Sequence, residues 1–218
     1  MKIYLKDRTI TFTGNKPECP AITDLVVEFR SAGELQSAWE DFKRFEKFLN
    51  FIIIDPEYSK QKSAGSFKSF VTFFTFLQAA GGIVKNENGE FLFIHRFGLW
   101  DLPKGKIDKK DIPGNGCSIS DSQTARAAAI REVKEETGIQ TVVIMRELPS
   151  TWHIYTTGER WFLKKTRWFD MEADSGQTLK PQTSEGIFLV KWTPPNAIHC
   201  ILSHTYASIR ELLVEVIF

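Results

Sequence analysis

The stretch that most constrains the fold is an acidic segment that ends in glycine. Residues 131–139, Arg-Glu-Val-Lys-Glu-Glu-Thr-Gly-Ile, place three glutamates at i, i+3 and i+4, so their side chains share one helix face. The alanine-rich residues 124–130 before them and Gly138 after them predict a helix that stops at the glycine. Carboxylates in the last turns repel one another and the negative end of the helix dipole, so a positive partner is required.

Two kinds of positive partner could offset that repulsion. The simpler is a solvated acidic face, in which Arg131 and Lys134 pair locally with the glutamates. The other is a divalent metal ion, because carboxylate oxygens are the hard ligands that Mg²⁺ and Mn²⁺ take, often beside substrate phosphates.

The order of residues in this segment resembles the core of the Nudix box, Arg-Glu-apolar-x-Glu-Glu-x-Gly-apolar. In Nudix hydrolases this motif lies on a loop-helix-loop and binds metal, so the resemblance favours the second alternative. It implies that Glu132, Glu135 and Glu136 are catalytic residues and ligands of Mg²⁺ (or Mn²⁺). It also implies a catalytic role for Arg131, which we expect to orient a carboxylate rather than to contact substrate.

A second segment of the same resemblance lies upstream. After Ala79-Ala80-Gly81-Gly82 the chain predicts a strand, a turn at 86–89 and a second strand, followed by residues 95–106, His-Arg-Phe-Gly-Leu-Trp-Asp-Leu-Pro-Lys-Gly-Lys. By resemblance, the backbone carbonyl of Gly105 ligates metal, and Arg96, Lys104 and Lys106 bind substrate phosphate. Without the helix that follows, the same residues would be read as an exposed loop.

The motif is interrupted between its glycine and its helix. In the Nudix pattern a first glutamate follows the glycine by six residues and precedes the arginine by eight. Counting forward from Gly105 gives Asp111 and counting back from Arg131 gives Gln123, which differ by 123 − 111 = 12 residues. The loop 108–122, with its turn-rich residues 112–116, therefore carries an insertion. Ser120-x-x-Gln123 fits a capping box, which would make Ser120 the N-cap of the helix.

Downstream of the helix, the pattern predicts strands at 140–148, 152–157 and 163–171. This region is similar to the substrate-lining segment of Nudix enzymes that act on diadenosine or diphosphoinositol polyphosphates, which implies substrate binding by Tyr155 and Lys165. Alternation places Lys165 and Arg167 on one face of the strand and Lys164 on the other. A lone His153 is more often structural than catalytic.

Glu185, just before the predicted strand 187–192, occupies the place where many Nudix members carry a further carboxylate. The resemblance therefore adds Glu185 to the catalytic residues. A surface glutamate is the simpler interpretation of the same position. The general base is either Glu132 or Glu185, and the sequence does not choose between them.

Residues 1–75 lie outside the resemblance, which extends from about residue 79 to 218. They predict a small α/β domain of unknown role, with an aromatic core and none of the chemistry-bearing residues. Its expected elements are a hairpin at 1–13, strands at 24–29 and 51–54, a helix at 33–50, and helical spacing from Phe67 to Leu77. The expected whole is an α+β protein in which this domain precedes a Nudix α/β/α sandwich with a mixed sheet at 76–218, closed by a helix at 197–216.

Composition narrows the class of partner. The 218 residues are 42% hydrophobic and 25% charged with a net charge of +1, which predicts a globular chain without a general attraction to nucleic acid or membrane. Three widely spaced cysteines, no leader and no long apolar run predict a cytoplasmic protein. The expected partner is a small diphosphate molecule and not a nucleic acid polymer, and a homodimer remains open.

The resemblance to Nudix hydrolases implies a metal-dependent pyrophosphohydrolase that cleaves a diphosphate linkage in a nucleoside polyphosphate, and the lysine and arginine residues place dinucleoside polyphosphates ahead of nucleoside triphosphates and diphosphoinositol polyphosphates. The alternative is a Nudix fold with impaired catalysis that acts as a ligand-binding or regulatory module. The missing first glutamate and the insertion favour the alternative, whereas the three helix glutamates oppose it.

Overall fold

The computed structural model describes residues 1–59, 65–113 and 117–218, apart from the side chain of Ser59. The chain divides into two compact units. The first unit contains Met1–Phe76 and Trp152–Lys164, and the second contains Leu77–Thr151 and Lys165–Phe218. This division differs from the expected one at 75/76 chiefly because residues 152–164 belong with the N-terminal residues.

The first unit is a small α/β structure whose strands follow the order β1-β2-β4-β3. Strand β1 pairs with β2 in an antiparallel hairpin, and β4 pairs in parallel with both β2 and β3. The predicted hairpin and strands are confirmed. The elements are β1 Lys2–Leu5, β2 Arg8–Thr13, β3 Asp24–Glu28, α1 Ala32–Arg44, β4 Asn50–Ile54 and α2 Gly65–Val71.

Both helices of the first unit are shorter than the apolar spacing predicts. Helix α1 ends at Arg44 because Phe45 is extended, with φ −102° and ψ 102°, and Leu49 is exposed just before β4 begins. Helix α2 ends at Val71, and Leu77 lies in the following strand. The polar loop around residues 60–64 lies outside the described residues.

The core of the first unit is aromatic. The rings of Trp39 and Phe70 pack edge to face with centroids 5.4 Å apart, and those of Phe42 and Phe51 stack at 5.3 Å. Ring pairs of this kind stabilise a core beyond the apolar area they bury. The same core includes Ile154 and Leu163 of the 152–164 hairpin, both of them buried.

The second unit is built on the strand order β11-β6-β5-β10-β9, with β7 paired to β6 and β8 paired to β5. The boundary between the units falls within β9 and β10, so each strand contributes residues to both units. The elements are β5 Thr75–Lys85, β6 Phe91–Arg96, β7 Leu99–Asp101, β8 Lys104–Lys106, α3 Ser122–Thr137, β9 Val143–Thr157, β10 Arg160–Glu172, β11 Ile187–Thr193, α4 Ile198–Ser203 and α5 Ala207–Ile217.

Side chains alternate between two apolar clusters on opposite faces of this sheet. Leu92 and Ile94 of β6 pack in the cluster that contains residues of α3, whereas Phe93 packs in the cluster that contains residues of α5. The predicted α+β class, with helices on both faces of a mixed sheet, is confirmed. In the described part of the chain, no helix is both long and apolar enough to cross a membrane.

The predicted closing helix at 197–216 is interrupted. A short turn at 195–197 leads into α4, and α5 begins only at Ala207. Between them, Trp100 N donates to His204 O at 2.9 Å and Thr205 Oγ1 donates to Trp100 O at 2.7 Å. These bonds attach residues 204–206 to strand β7 and account for the break.

Helix α3 confirms the predicted glycine stop, since Gly138 adopts φ +83° just after its last residue. The predicted cap is wrong. Asp121, not Ser120, is the N-cap residue, and its carboxylate accepts from Ser118 N instead of capping the helix. Gln123 is exposed and lies near Cys117 Sγ at 3.5 Å. Part of the turn-rich stretch, residues 114–116, lies outside the described residues.

Candidate active site

The last turns of α3 present the three glutamates at different depths. The side chain of Glu136 is 3% exposed and that of Glu132 is 13% exposed, whereas that of Glu135 is 40% exposed. All three lie on one face, as predicted, but Glu136 is buried, Glu132 is partly buried and Glu135 is exposed. Burial of a carboxylate is costly unless charge or hydrogen bonds compensate it.

Strand β8 brings Gly105 against this acidic face. Gly105 pairs with Ala80 of β5, and a Cβ atom at position 105 would overlap the carboxyl group of Glu132. Only glycine therefore fits between strand and helix. Two residues predicted to ligate the same metal, Gly105 and Glu132, are thus in direct proximity.

A single guanidinium organises the carboxylates around α3. Arg131 Nη1 donates to Glu132 Oε1 at 2.7 Å and to Glu135 Oε2 at 2.8 Å, and its Nη2 donates to Lys106 O at 2.9 Å. Its other bonds form a two-point contact with Asp111, Nε to Oδ1 at 2.7 Å and Nη2 to Oδ2 at 2.9 Å. A planar guanidinium matches a carboxylate in this way. These bonds, first those to Asp111, raise the pKa of Arg131.

The contact with Asp111 favours one of the two registers that the sequence leaves open. Asp111 is 6% exposed, and its Oδ2 also accepts from Asp108 N at 2.8 Å. Burial alone would raise the pKa of Asp111, but the bonds from Arg131 and Asp108 outweigh it, so the pKa is lowered and the group is a carboxylate. The acidic residue that follows Gly105 by six positions reaches the arginine, whereas Gln123 caps nothing.

Glu136 is the most buried of the three glutamates and has the most perturbed pKa. Its Oε2 accepts from Lys104 N at 2.8 Å, and its Oε1 lies 3.4 Å from Arg96 Nη1. Burial raises the pKa of Glu136 to about 7, although the charges of Lys104 and Arg96 oppose the rise. Burial also raises the pKa of Glu132, against the bonds from Arg131. The cationic side chains therefore do not fully compensate these carboxylates.

The donor chemistry of this cluster fits a divalent cation. It offers only oxygen ligands, which hard divalent ions prefer, and the raised pKa values of Glu132 and Glu136 indicate a shortage of positive charge. In the structure the carboxylates are bonded to Arg131, Arg96 and Lys104 N. Across the described ranges, no group of three or more acidic, histidine or cysteine side chains is arranged around one point as metal ligands.

The pattern of the sequence is also recognised by a family model. The model described as the NUDIX domain matches residues 75–215, which is more than half of the chain. The chain belongs to the Nudix family. It is accordingly a Nudix hydrolase, an enzyme that acts on pyrophosphate bonds, and the family generally uses divalent metal cations.

Solved structures of Nudix proteins resemble the chain at low sequence identity. An Ap4A hydrolase of C. elegans in a binary complex is 24% identical, with 64% of this chain and 93% of that chain covered and a TM-score of 0.43. A MutT protein of Methanosarcina mazei Go1 is 22% identical, with 65% and 93% covered and a TM-score of 0.46. The NUDIX domain of Shewanella oneidensis NrtR, complexed with ADP ribose, is 17% identical, with 75% and 99% covered and a TM-score of 0.45.

Asp101 holds the loop that leads to Gly105 in place through two contacts. Its Oδ1 accepts from Leu102 N at 2.8 Å and its Oδ2 pairs with the Lys104 ammonium, and both side chains are nearly buried. Lys104 thus reaches the carboxylates through its backbone N–H, while its side chain holds the loop. Lys106 is exposed. Phosphate binding by Arg96, Lys104 and Lys106 stays a prediction.

The other predicted substrate residues belong to different units. Tyr155 lies in the first unit, where its ring stacks on Phe162 with centroids 5.2 Å apart. Lys165 lies in the second unit, where burial and then Arg167 lower its pKa. Arg167 itself is held by Glu147, with two bonds of 2.8 Å. Substrate binding by Tyr155 and Lys165 stays a prediction.

Glu185 lies on a segment attached to the Nudix helix but is itself exposed. Gln182 N donates to Glu136 O at 3.3 Å and Lys180 N donates to Thr137 O at 2.8 Å, which fixes the segment beside the end of α3. Glu185 ends a short turn at 183–185, before Gly186 with φ +73°. Its catalytic role stays a prediction.

Three residues near the site were missed by the sequence analysis. Asp101 could have been found, because it lies inside the quoted loop motif. Tyr206 could not have been found, because only the break between α4 and α5 places it near the site. Burial and then the charge of Asp101 raise the pKa of Tyr206, while the charge of Arg96 lowers it. Phe97, next to Arg96, is the third, and this residue is 68% exposed.

An open cleft elsewhere in the second unit does not contain the Nudix carboxylates. Its volume is about 1370 Å³, and Asn86, Glu87 and Gln177 are among its lining residues. Gln177 Oε1 accepts from Gln140 N and Thr141 N at 2.8 Å each, so polar groups of the cleft wall satisfy one another. The size of this cleft therefore gives no reason to move the active site from α3.

Proposed function

We propose that this Nudix hydrolase cleaves a diphosphate linkage in a nucleoside polyphosphate, either a dinucleoside polyphosphate or a nucleoside triphosphate, with Mg²⁺ or Mn²⁺. The observation that carries the proposal is the bond pair between Asp111 and Arg131. It supplies the acidic residue that the interrupted motif lacked, and it fixes the arginine that orients Glu132 and Glu135.

The residues of the site have different roles in the proposed reaction. Glu132, Glu135 and Glu136, with the carbonyl of Gly105, would hold the cation, which when bound lowers the pKa of a water and neutralises phosphate oxygens. Arg131 acts as a positioning residue, because its hydrogen bonds go to carboxylates and to the backbone carbonyl of Lys106. Arg96 and Lys106 would stabilise the negative charge that develops on the phosphates.

Glu132 is the better candidate for the general base. It lies against Gly105, and its raised pKa brings it nearer to the range in which a carboxylate can accept a proton at neutral pH. Glu185 is exposed on a turn, and its side chain has no hydrogen bond or ion pair within the described part of the chain. Separate Glu132→Gln and Glu185→Gln variants test this assignment through the pH profile of kcat, which only loss of the base should flatten.

The alternative of an inactive binding module rested on the missing first glutamate and the insertion. Asp111 provides a buried carboxylate on Arg131, so the first of these arguments no longer applies. The insertion is the remaining argument for the module, and the three glutamates of α3 oppose it.

The test is phosphate release from a substrate panel with Mg²⁺, with Mn²⁺ and with EDTA. The panel contains dinucleoside polyphosphates, nucleoside triphosphates and diphosphoinositol polyphosphates. We expect turnover of the nucleotides that EDTA and Glu136→Gln abolish, while Glu172→Gln, an exposed carboxylate at the end of β10, serves as the matched control. Tight nucleotide binding without turnover would support the module instead.

A further inference from the structure

We propose that Phe97 is the platform on which the planar base of the substrate stacks. This inference deepens the proposed function, since it names the part of a nucleotide that the chain recognises. It assigns a binding role to an aromatic residue outside the Nudix box, and it predicts which of the candidate substrates are preferred.

The conformation of Phe97 has no evident benefit for folding. Phe97 and Gly98 form the two-residue turn between β6 and β7, with Arg96 paired to Leu99 across it, and their φ values are +50° and +81°. Turns of this kind favour asparagine, aspartate or glycine at the first position, because other side chains are strained at positive φ. A phenylalanine here adds backbone strain, and Phe97 as a residue is 68% exposed to water.

The position of the ring explains why such a residue could be useful. The Arg96 guanidinium lies 5.2 Å from the ring centroid, and Arg96 Nη1 lies 3.4 Å from Glu136 Oε1. One arginine therefore links the exposed ring to the most buried Nudix carboxylate. Two atoms of the ring also lie close to Gly186, where a Cβ atom would be 3.0 Å from Phe97 Cε1 and 3.1 Å from Phe97 Cζ.

The chemistry of the ligand follows from these neighbours. A molecule whose diphosphate binds beside Arg96 and Glu136 would carry its next group toward Phe97. An aromatic ring with an exposed face binds a planar base by stacking, whichever base it is, and loss of such a contact weakens binding by about 5- to 100-fold. The inositol ring of a diphosphoinositol polyphosphate is aliphatic and lacks a face that stacks, so the platform favours nucleotides.

The variant Phe97→Asn separates this role from a structural one. Asparagine suits positive φ, so we expect an unchanged or higher Tm together with a KM for nucleotides raised about 5- to 100-fold. Phe97→Tyr should have the same KM as the wild type, because tyrosine retains an aromatic face. Phe188→Asn is the matched control, since that phenylalanine is 71% exposed on β11 and we expect no change in KM.

Binding measurements distinguish failure of this inference from failure of the proposed function. The affinities of AMP and of ribose 5-phosphate, which lacks the base, are measured by calorimetry on the wild-type protein and on Phe97→Asn, each with Mg²⁺. A preference for AMP that disappears in Phe97→Asn supports the platform, even if no nucleotide is hydrolysed and the proposed function falls. No preference for AMP in the wild type, or an equal preference in Phe97→Asn, overturns the platform even if nucleotides are hydrolysed.

Discussion

Three glutamates that look equivalent in the sequence differ because burial separates them. Their i, i+3, i+4 spacing puts all of them on one face, but β8 and the loop before it cover Glu132 and Glu136 and leave Glu135 in solvent. The pKa of Glu136 rises to about 7, from an ordinary value of 4.5, because its carboxylate is nearly inaccessible to water. The cost of ionising Glu136 is therefore due first to burial, and the charge of Asp101 adds to it.

The variant Glu136→Gln should stabilise the metal-free protein at high pH. A carboxyl whose pKa is raised in the folded state makes the fold less stable as pH rises from about 4.5 through about 7, because ionisation then favours the unfolded state. We expect a Tm above that of wild type at pH 8.5 in EDTA, a smaller difference at pH 5.5, and no metal-dependent turnover. The gain should be on the order of 3 kcal/mol at most.

The control for this effect is Glu135→Gln, which removes a carboxylate from the same helix face at an exposed position. We expect a smaller change in Tm at pH 8.5, together with loss of turnover. Glu136→Gln melting below wild type at pH 8.5 would contradict the account of a strained, buried carboxylate.

The variant Asp111→Asn should weaken both the fold and the catalyst. It removes the charge that holds Arg131, and bonds between charged groups contribute about 1.5–3 kcal/mol when buried. Because the pKa of Asp111 is lowered in the folded state, its stabilisation is fully present above the ordinary pKa of 3.8 and is lost as pH falls through the folded pKa. The Tm difference between wild type and variant should therefore narrow on acidification, and kcat at neutral pH should fall about 10- to 100-fold.

Substitutions at Gln123 provide the comparison for Asp111. Because Gln123 is exposed and does not cap α3, Gln123→Ala should change stability by less than about 0.5 kcal/mol. Gln123→Glu should leave turnover unchanged, because the acidic position of the motif is already filled by Asp111. Higher turnover in Gln123→Glu, with no loss in Asp111→Asn, would return the motif to the register through Gln123.

At the scale of elements, the close approach of β8 to α3 forms the site. The variant Gly105→Ala places a methyl group where the Glu132 carboxyl lies, so strand and helix must separate. We expect a loss of about 1–3 kcal/mol in stability and about 100-fold in kcat, because small displacements of catalytic groups are costly. Gly33→Ala is the matched control, since Gly33 lies in α1 and a Cβ atom there would have no heavy atom within 4 Å, so it should be neutral or stabilising. Equal kcat in the two variants would argue against the close packing of Gly105 and Glu132.

Element types were predictable from the sequence, but several of their ends were not. Apolar spacing runs through α1 to Leu49 and through α2 to Leu77, so periodicity alone could not show that Phe45 and Thr75 begin other structure. The break before α5 depends on Thr205 and Trp100, which are 105 positions apart. Gly138, by contrast, was predictable because a residue with positive φ is a local requirement that glycine meets.

In the site, too, residues that depend on local sequence were predictable, whereas residues placed by distant contacts were not. The glutamates of α3 follow from helical spacing within five residues, and Gly105 follows from a short motif. The residue at the first-glutamate position could not be chosen between Asp111 and Gln123, because an insertion separates the two registers and the contact between Asp111 and Arg131 is seen only in the structure. Tyr206 gave no signal, because its neighbours Arg96 and Asp101 are about a hundred residues away in the chain.

At the scale of the whole molecule, the division into units alters what can be removed without damage. The sequence predicts a separable domain at residues 1–75, whose loss should leave hydrolysis detectable. In the structure, Ile154 is 3% and Leu163 is 0% exposed within the first unit, although both lie downstream of the Nudix helix. Deleting residues 1–75 alone would leave these two side chains without their core.

A pair of deletions tests this organisation. The first removes residues 1–75; the second also replaces residues 152–164 by an Asn-Gly turn that joins Thr151 to Lys165, which shortens β9 and β10 to their parts in the second unit. We expect the first deletion to aggregate, because it exposes buried apolar side chains, and the second to be more soluble and to retain metal-dependent hydrolysis, since α3, Gly105 and Asp111 all lie in the second unit. Soluble yield, size-exclusion profile and kcat are the measurements. If the first deletion is monomeric and stable, residues 152–164 do not depend on the N-terminal core; if the second is folded but inactive, the first unit contributes to catalysis.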